Sequence, residues 1–296
     1  MSFEALRAVV QGWAAAGLLP AGLTYGFLVN ALIAALIAGP VLGGLGTLVV
    51  TKRLAFFSEA VGHAALTGVA IGILLGEPYT GPYASLFGYC LLFALLVAFL
   101  RNRTGLATET LIGVFLSVSL ALGASLLLML STRVNVHILE NVLFGSVLTV
   151  DDRDLGVLLV VGLGVSVVGL PLFNRLMLGG FNPALAQVRG VRVVFLDYLF
   201  LMLVTVVTVA SVKIIGAILV GALLVIPAAA ARVAARSLRG FFLLSIVFAT
   251  LSAVAGILIP VHFDLPIPSG GAIILAAGLL FLGASVARML SRSKPS

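Results

Sequence analysis

Apolar runs of about 20 residues, divided by short polar breaks, recur along almost the whole chain. Each is long enough to cross a bilayer, and there only a helix satisfies the backbone hydrogen bonds of a single segment. The pattern predicts spans over Thr24–Val50, Ser58–Gly76, Tyr83–Leu100, Glu109–Leu130, Leu155–Phe173, Phe241–Ile259 and Gly271–Ala287. Between Val193 and Ala231 the apolar stretch is long enough for two more, with Lys213 at the outer turn, unless one half is re-entrant. The expected fold is an all-α integral membrane protein, a polytopic bundle of roughly eight or nine transmembrane helices in a single domain over residues 1–296.

The less regular segments fill in this frame. Residues 1–20 carry Phe3, Leu6, Val9, Val10 and Trp13 on a loose helical face, which predicts an interfacial helix lying along the membrane surface. Gly39-Pro40 predicts a kink in the first span, and Glu77-Pro78 an outer turn. ILENVLFGSVLTV is too short to span and too apolar for a free loop, so it reads as a short helix packed on the bundle or dipping into the outer face. Asp151, Asp152 and Asp154 after it read as a solvated loop face, with contact to an external partner as the sharper option. In residues 181–191, Asn182 can cap a helix whose first residue is Pro183, and Gly190 can end it. Carrying Gln187 and flanked by Arg175, Arg189 and Arg192, that segment is either a docking element for a cytoplasmic partner or a basic loop.

Composition agrees with the pattern and excludes other classes. The chain is 62% hydrophobic and 9% charged, with mean hydropathy +1.29, far from a soluble domain with about 25% charged residues. Its net charge of +7 does not point to nucleic acid, because the basic residues sit in short loops between spans. All of them except Arg7, Arg133, Arg153 and Lys213 fall on one predicted side, which the positive-inside rule makes cytoplasmic, placing the amino terminus outside. The first twenty residues lack the compact apolar region of a cleavable signal. The single cysteine, Cys90, lies in an apolar run and offers no thiolate cluster.

The chemistry that remains is sparse. No GxxxxGK[ST] phosphate loop, HExxH or GxSxG occurs, so any ATP site belongs to another chain and an enzyme is not expected. Glu59 and His63, four residues apart, share one face of the second span. Beside them Ala60, Ala64, Gly68, Gly72 and Gly76 form a small-residue stripe that allows close helix packing. Ionisable residues inside a span face protein or a water-filled path. Carboxylate and imidazole together suit borderline divalent ions such as zinc, manganese or ferrous iron, and two ligands make an open site that can release its ion. A Glu–His hydrogen bond locking two helices and a proton relay are the other readings. His262 and Asp264 in an external turn could meet an arriving cation or simply be solvated; His137 and Glu140 are weaker still.

Several segments, in order, resemble one family. KRLAFFSEAVGHAALTGVAIG is similar to the R-x-[MS]-[AS]-F-[LF]-G-D-A-L-S-H-A region of permease subunits from the zinc- and manganese-type branch of ATP-binding-cassette importers. ENVLFGSVLTV resembles its LFG-x-[IL]-L segment, FNPALAQVRGV its FDPExARxxGV segment, VGALLVIPAAAARVAA its ALLViPAATArLLA stretch, and DLPIPSGGAIIL its DLPsGaaivL segment. Glu59 replaces the commoner Asp, Asn182 replaces an Asp, and the external turn carries two extra residues in DLPIPSGGA.

The resemblance implies a multi-pass permease of the bacterial cytoplasmic (inner) membrane, importing zinc or manganese by alternating access. It implies a homodimer with two cytoplasmic ATP-binding subunits and an extracytoplasmic metal-binding protein. Glu59 and His63 fall where the family has the Asp and His of its metal path. Asn182 to Val191 would be the coupling helix seated in the ATPase. The alternative from another class is a proton-coupled metal carrier or channel that works alone.

Overall fold

The computed structural model describes residues 3–78, 82–130, 150–263, 265 and 267–292, without the side chains of residues 21, 213, 217, 218 and 292. These residues form helices and connections, with no strand among them. In chain order they are α1 (Glu4–Ala15), a 3-10 turn (Ala21–Thr24), α2 (Gly26–Thr51), α3 (Ala55–Leu74), α4 (Tyr83–Thr104) and α5 (Thr108–Leu130). There follow α6 (Asp152–Phe181), α7 (Pro183–Val188), α8 (Val193–Ile215), α9 (Ala217–Ala234), α10 (Leu238–His262) and α11 (Ser269–Arg292). Among the described residues, 8 helices are long and apolar enough to cross a membrane, and a shorter apolar helix, Leu219–Ala234, is the second half of the ambiguous stretch.

That stretch breaks at Gly216, not at Lys213, which lies inside α8. Gly216 sits at φ 98°, a conformation that only glycine adopts cheaply, so one residue separates two helices. α6 also exceeds its expected end at Phe173 and runs to Phe181, past Arg175, because Pro171 is tolerated inside a membrane helix. The short helix expected in ILENVLFGSVLTV, with His137 and Glu140, lies outside the described residues apart from Val150.

The chain gathers into two compact units. One comprises residues 1–50, 146–163 and 222–296. In it, glycines of α2 let neighbours approach to backbone contact: a methyl on Gly43 would lie 2.6 Å from the Ser245 carbonyl oxygen, and one on Gly46 2.1 Å from that of Leu224. Ser245 Oγ donates to the Gly43 carbonyl at 2.6 Å across the same seam. α10 and α11 close together where Gly256 meets the Ile273 backbone.

The amino-terminal helix α1 is inverted relative to a soluble amphipathic helix. Arg7 and Gln11 turn toward the protein, while Leu6, Val9 and Trp13 are exposed, the orientation that suits an interface with lipid. Arg7 donates to Asn30 Oδ1 at 3.1 Å and pairs with Asp152 at 2.7 Å; Asn30 Nδ2 donates to the Val150 carbonyl at 2.9 Å. The acidic cluster is therefore not a solvated loop face. Asp151 and Asp154 accept from each other's backbone N–H at 2.9 and 3.2 Å, a reciprocal cap on α6, and Asp154 is buried. Three carboxylates near the positive end of one helix are tolerated because its N–H groups and Arg7 neutralise them.

The second unit comprises residues 51–145 and 164–221. Its centre is α3, which packs on α4, α5 and α8.

Candidate metal site on helix α3

α3 is held from three sides by different devices. Phe57, Ala60, Val61, Ala64 and Ala65 are fully buried. On the α4 side the small-residue stripe works as its spacing implies: methyls on Gly68 and Gly72 would lie 3.0 Å from Leu86 Cα and 2.6 Å from Pro82 Cβ. On the α5 side Thr67 Oγ1 donates to the Ser119 carbonyl at 2.7 Å, directly beside Gly123. At the far end Gly76 (φ 83°) closes the helix, with Glu77 N–H donating to the Gly72 carbonyl at 2.9 Å and Gly76 N–H to Ile73 at 3.1 Å. The Glu77 carboxylate then accepts from the Ser85 N–H and hydroxyl, capping α4.

Within this clamped helix, Glu59 and His63 are half-buried on the face continuing from exposed Phe56. The start of α9 passes against Glu59: a methyl on Gly221 would sit 3.4 Å from the Glu59 amide nitrogen and 3.6 Å from its Cβ. His63 Nδ1 is buried with no hydrogen-bond partner among the described residues. Neither side chain makes a hydrogen bond or ion pair to a described residue, so the helix-locking Glu–His bond has no counterpart there. A buried ring nitrogen without a partner carries a desolvation cost of about 1–3 kcal/mol, which water or a cation would relieve.

α8 adds two more such atoms. Thr208 Oγ1 and Ser211 Oγ are fully buried and have no partner among the described residues, whereas Thr205 on the same helix bonds back to Leu201. Their depth can be read from an ion pair near the starts of α3 and α8, where Lys52 Nζ lies 2.6 Å from Asp197 Oδ1. Thr208 lies about 16 Å of helical rise beyond Asp197, and His63 about 12 Å beyond Ala55, the first residue of α3. The unpartnered imidazole and hydroxyls belong to two helices packed against each other. Sequence reading missed all three α8 and ion-pair residues, because Asp197, Thr208 and Ser211 are isolated within an apolar run. The three-residue spacing of Thr205, Thr208 and Ser211 on one helix face is the signal that was available.

No group of three or more His, Cys, Asp or Glu gathers among the described residues. His262 ends α10, exposed and edge-on to Phe263 at 4.9 Å, while Asp264 lies outside the described residues. The caps expected of the cytoplasmic segment are present. Asn182 Oδ1 accepts from the Leu185 N–H at 3.0 Å, Pro183 opens α7, and Gly190 at φ 73° ends it, with Val191 N–H donating to Ala186 at 3.0 Å. Apart from buried Ala186 the helix is exposed, including Gln187, Arg189 and an 86%-exposed Val188.

Comparison with known proteins decides the family. The model of the ABC 3 transport family matches residues 24–288, nearly all of the bundle. The chain belongs to the ABC 3 transport family. It is 33% identical over 256 residues to the manganese import system permease protein ScaB of Streptococcus gordonii, covering 86% of this chain and 89% of that one. It is 31% identical to the high-affinity zinc uptake system membrane protein ZnuB of Haemophilus influenzae, covering 86% and 94%. A solved structure of PsaBC from Streptococcus pneumoniae in complex with Fab superposes with TM-score 0.76 at 31% identity, over 88% of this chain and 91% of that one. This ABC 3 family chain is therefore a multi-pass membrane transport subunit and not itself an enzyme.

Proposed function

We propose that this chain is the permease subunit of an ATP-driven importer for a divalent transition metal, manganese or zinc, in the bacterial cytoplasmic membrane. The observation that carries the reading is the Glu59/His63 pair. Carboxylate and imidazole stand half-buried and unpartnered on the most tightly clamped helix of a family permease, where hydrocarbon exposure would cost several kcal/mol, about 2.5–3.5 per charge. Glu59 and His63 are transient ligands of the passing ion, and its remaining shell comes from water and the Thr208 and Ser211 hydroxyls. Incomplete coordination lets the ion leave. Glu59 reaches one methylene further than the family's Asp, which shifts metal preference rather than abolishing binding.

The permease works as a homodimer with cytoplasmic ATP-binding subunits, and α7 is the coupling helix that seats in them through Asn182, Pro183, Gln187, Arg189 and Gly190. An extracytoplasmic metal-binding protein delivers the ion. ATP is bound and hydrolysed on the partner, since this chain has no phosphate loop. The stand-alone carrier finds no support in the family assignment. Proteoliposomes test the reading: manganese or zinc enters only when the ATP-binding subunits, ATP and the binding protein are present. Metal flux through vesicles holding this chain alone would overturn it.

A further inference from the structure

A cavity of about 570 Å³ opens where the end of α9 meets the last turns of α11, in the unit that contains both. Its walls include Ala235, Ala284 and Ala287, and its polar groups include Arg236, Arg288 and Ser291. Among the described residues no acidic side chain lines it. Arg288 donates one guanidinium N–H to the Val233 carbonyl, which ties α11 to the end of α9 and leaves the other donors of its fork for a ligand. Arg236 is exposed and has no partner among the described residues, and Arg232 and Arg239 flank it in sequence.

We propose that this cavity holds the phosphate headgroup of an anionic phospholipid from the inner leaflet. Four observations converge on that occupant. The cavity lies at the basic ends of two apolar helices, the side that the charge distribution makes cytoplasmic and therefore level with the headgroups. Two guanidinium groups match a phosphate, which they can bind as paired donors. The alanine walls accept the uncharged glycerol part, and the volume falls within the range of about 300–1,000 Å³ typical of small-ligand sites. At its level and one turn deeper α11 presents Met289, Val286 and Leu282 as exposed side chains, an apolar track along which an acyl chain can lie. Basic pockets between membrane helices on the cytoplasmic side are the sites where anionic headgroups collect. The inference is independent of the metal path.

The test is native mass spectrometry of the full chain purified in mild detergent and delipidated, then titrated with phosphatidylglycerol, phosphatidylethanolamine or inorganic phosphate. Phosphatidylglycerol should be retained in preference to phosphatidylethanolamine, and retention should fall about fivefold for each of Arg236→Gln and Arg288→Gln. Arg236→Gln guards against misfolding, since that side chain holds nothing in place, and Arg103→Gln, at another basic loop, should leave retention unchanged. Equal retention by wild type and both variants would overturn the proposal, as would saturation by inorganic phosphate without preference between lipids. It also fails if assembly with the ATP-binding subunits expels the lipid and Arg236→Gln weakens that assembly, because the cavity would then seat an acidic group of the partner.

Discussion

Lys52 Nζ and Asp197 Oδ1 meet at 2.6 Å with both side chains nearly excluded from solvent, and the Phe200 ring lies 5.6 Å from the same ammonium. Lys52, which marks the cytoplasmic end of the first span in sequence, is a buried cation, because an acid in the distant apolar run of α8 reaches it. Removing one partner of such a pair strands the other. Lys52→Met or Asp197→Leu alone should cost about 3–5 kcal/mol in thermal unfolding of the detergent-solubilised protein, while the double substitution recovers most of the loss. Single variants no less stable than the double would show that the pair contributes nothing.

The glycine seams give a second test with internal controls. A methyl on Gly46 would lie 2.1 Å from the Leu224 carbonyl oxygen, and one on Gly256 2.4 Å from the Ile273 nitrogen; both obstacles are backbone and cannot step aside. Gly46→Ala and Gly256→Ala should each lose roughly 1–3 kcal/mol or fail to accumulate. Gly88→Ala and Gly278→Ala meet nothing within 4 Å and should be neutral or slightly stabilising, since alanine is the better helix former. Expression and melting temperature across the four variants decide the matter.

The contrast between Lys52 and Gly216 shows what was legible from sequence. Spans, the α7 caps and the α3 small-residue stripe were readable because each rests on local chemistry: hydropathy over about 20 residues, an Asn-Pro start with a glycine stop, and a four-residue spacing. Gly216 was visible as one interruption of its stretch, but the turn was placed at Lys213, which offered a stronger polar signal three residues earlier. Asp152 and Asp154 looked like loop acids because their partners, Arg7 and the α6 backbone, are fixed only by tertiary contact and helix geometry. The Glu59/His63 pair could be named from its spacing, but its lack of partners and the hydroxyls of α8 belong to packing between helices far apart in sequence.

The α7 caps give the third test. The Asn182 side chain satisfies one N–H of a helix only six residues long, so Asn182→Ala should cost that helix about 1 kcal/mol while Asn182→Asp preserves it. If α7 is the coupling helix, Asn182→Ala and Arg189→Glu should both reduce co-purification of the ATP-binding subunits, and Asn182→Asp should not. Full co-purification with Arg189→Glu and Asn182→Ala would remove α7 from the interface.

The sharpest test separates a path from a packing feature on α3 and α8. Glu59→Ala and His63→Ala should abolish ATP-dependent metal uptake while the assembled complex is still recovered, and Glu59→Asp should restore uptake with an altered manganese-to-zinc ratio. Thr208→Val and Ser211→Ala sharpen the distinction, because each removes a buried hydroxyl that no described residue partners. For a purely structural hydroxyl, the change is neutral or stabilising by about 1 kcal/mol and uptake stays at the wild-type level. For a group that faces the ion or its water, stability rises in the same way but uptake falls. Metal-resolved uptake measured beside thermal stability in the same four positions therefore reads the path directly: loss of transport without loss of fold assigns them to it, and wild-type uptake in the Glu59 and His63 variants removes the metal site.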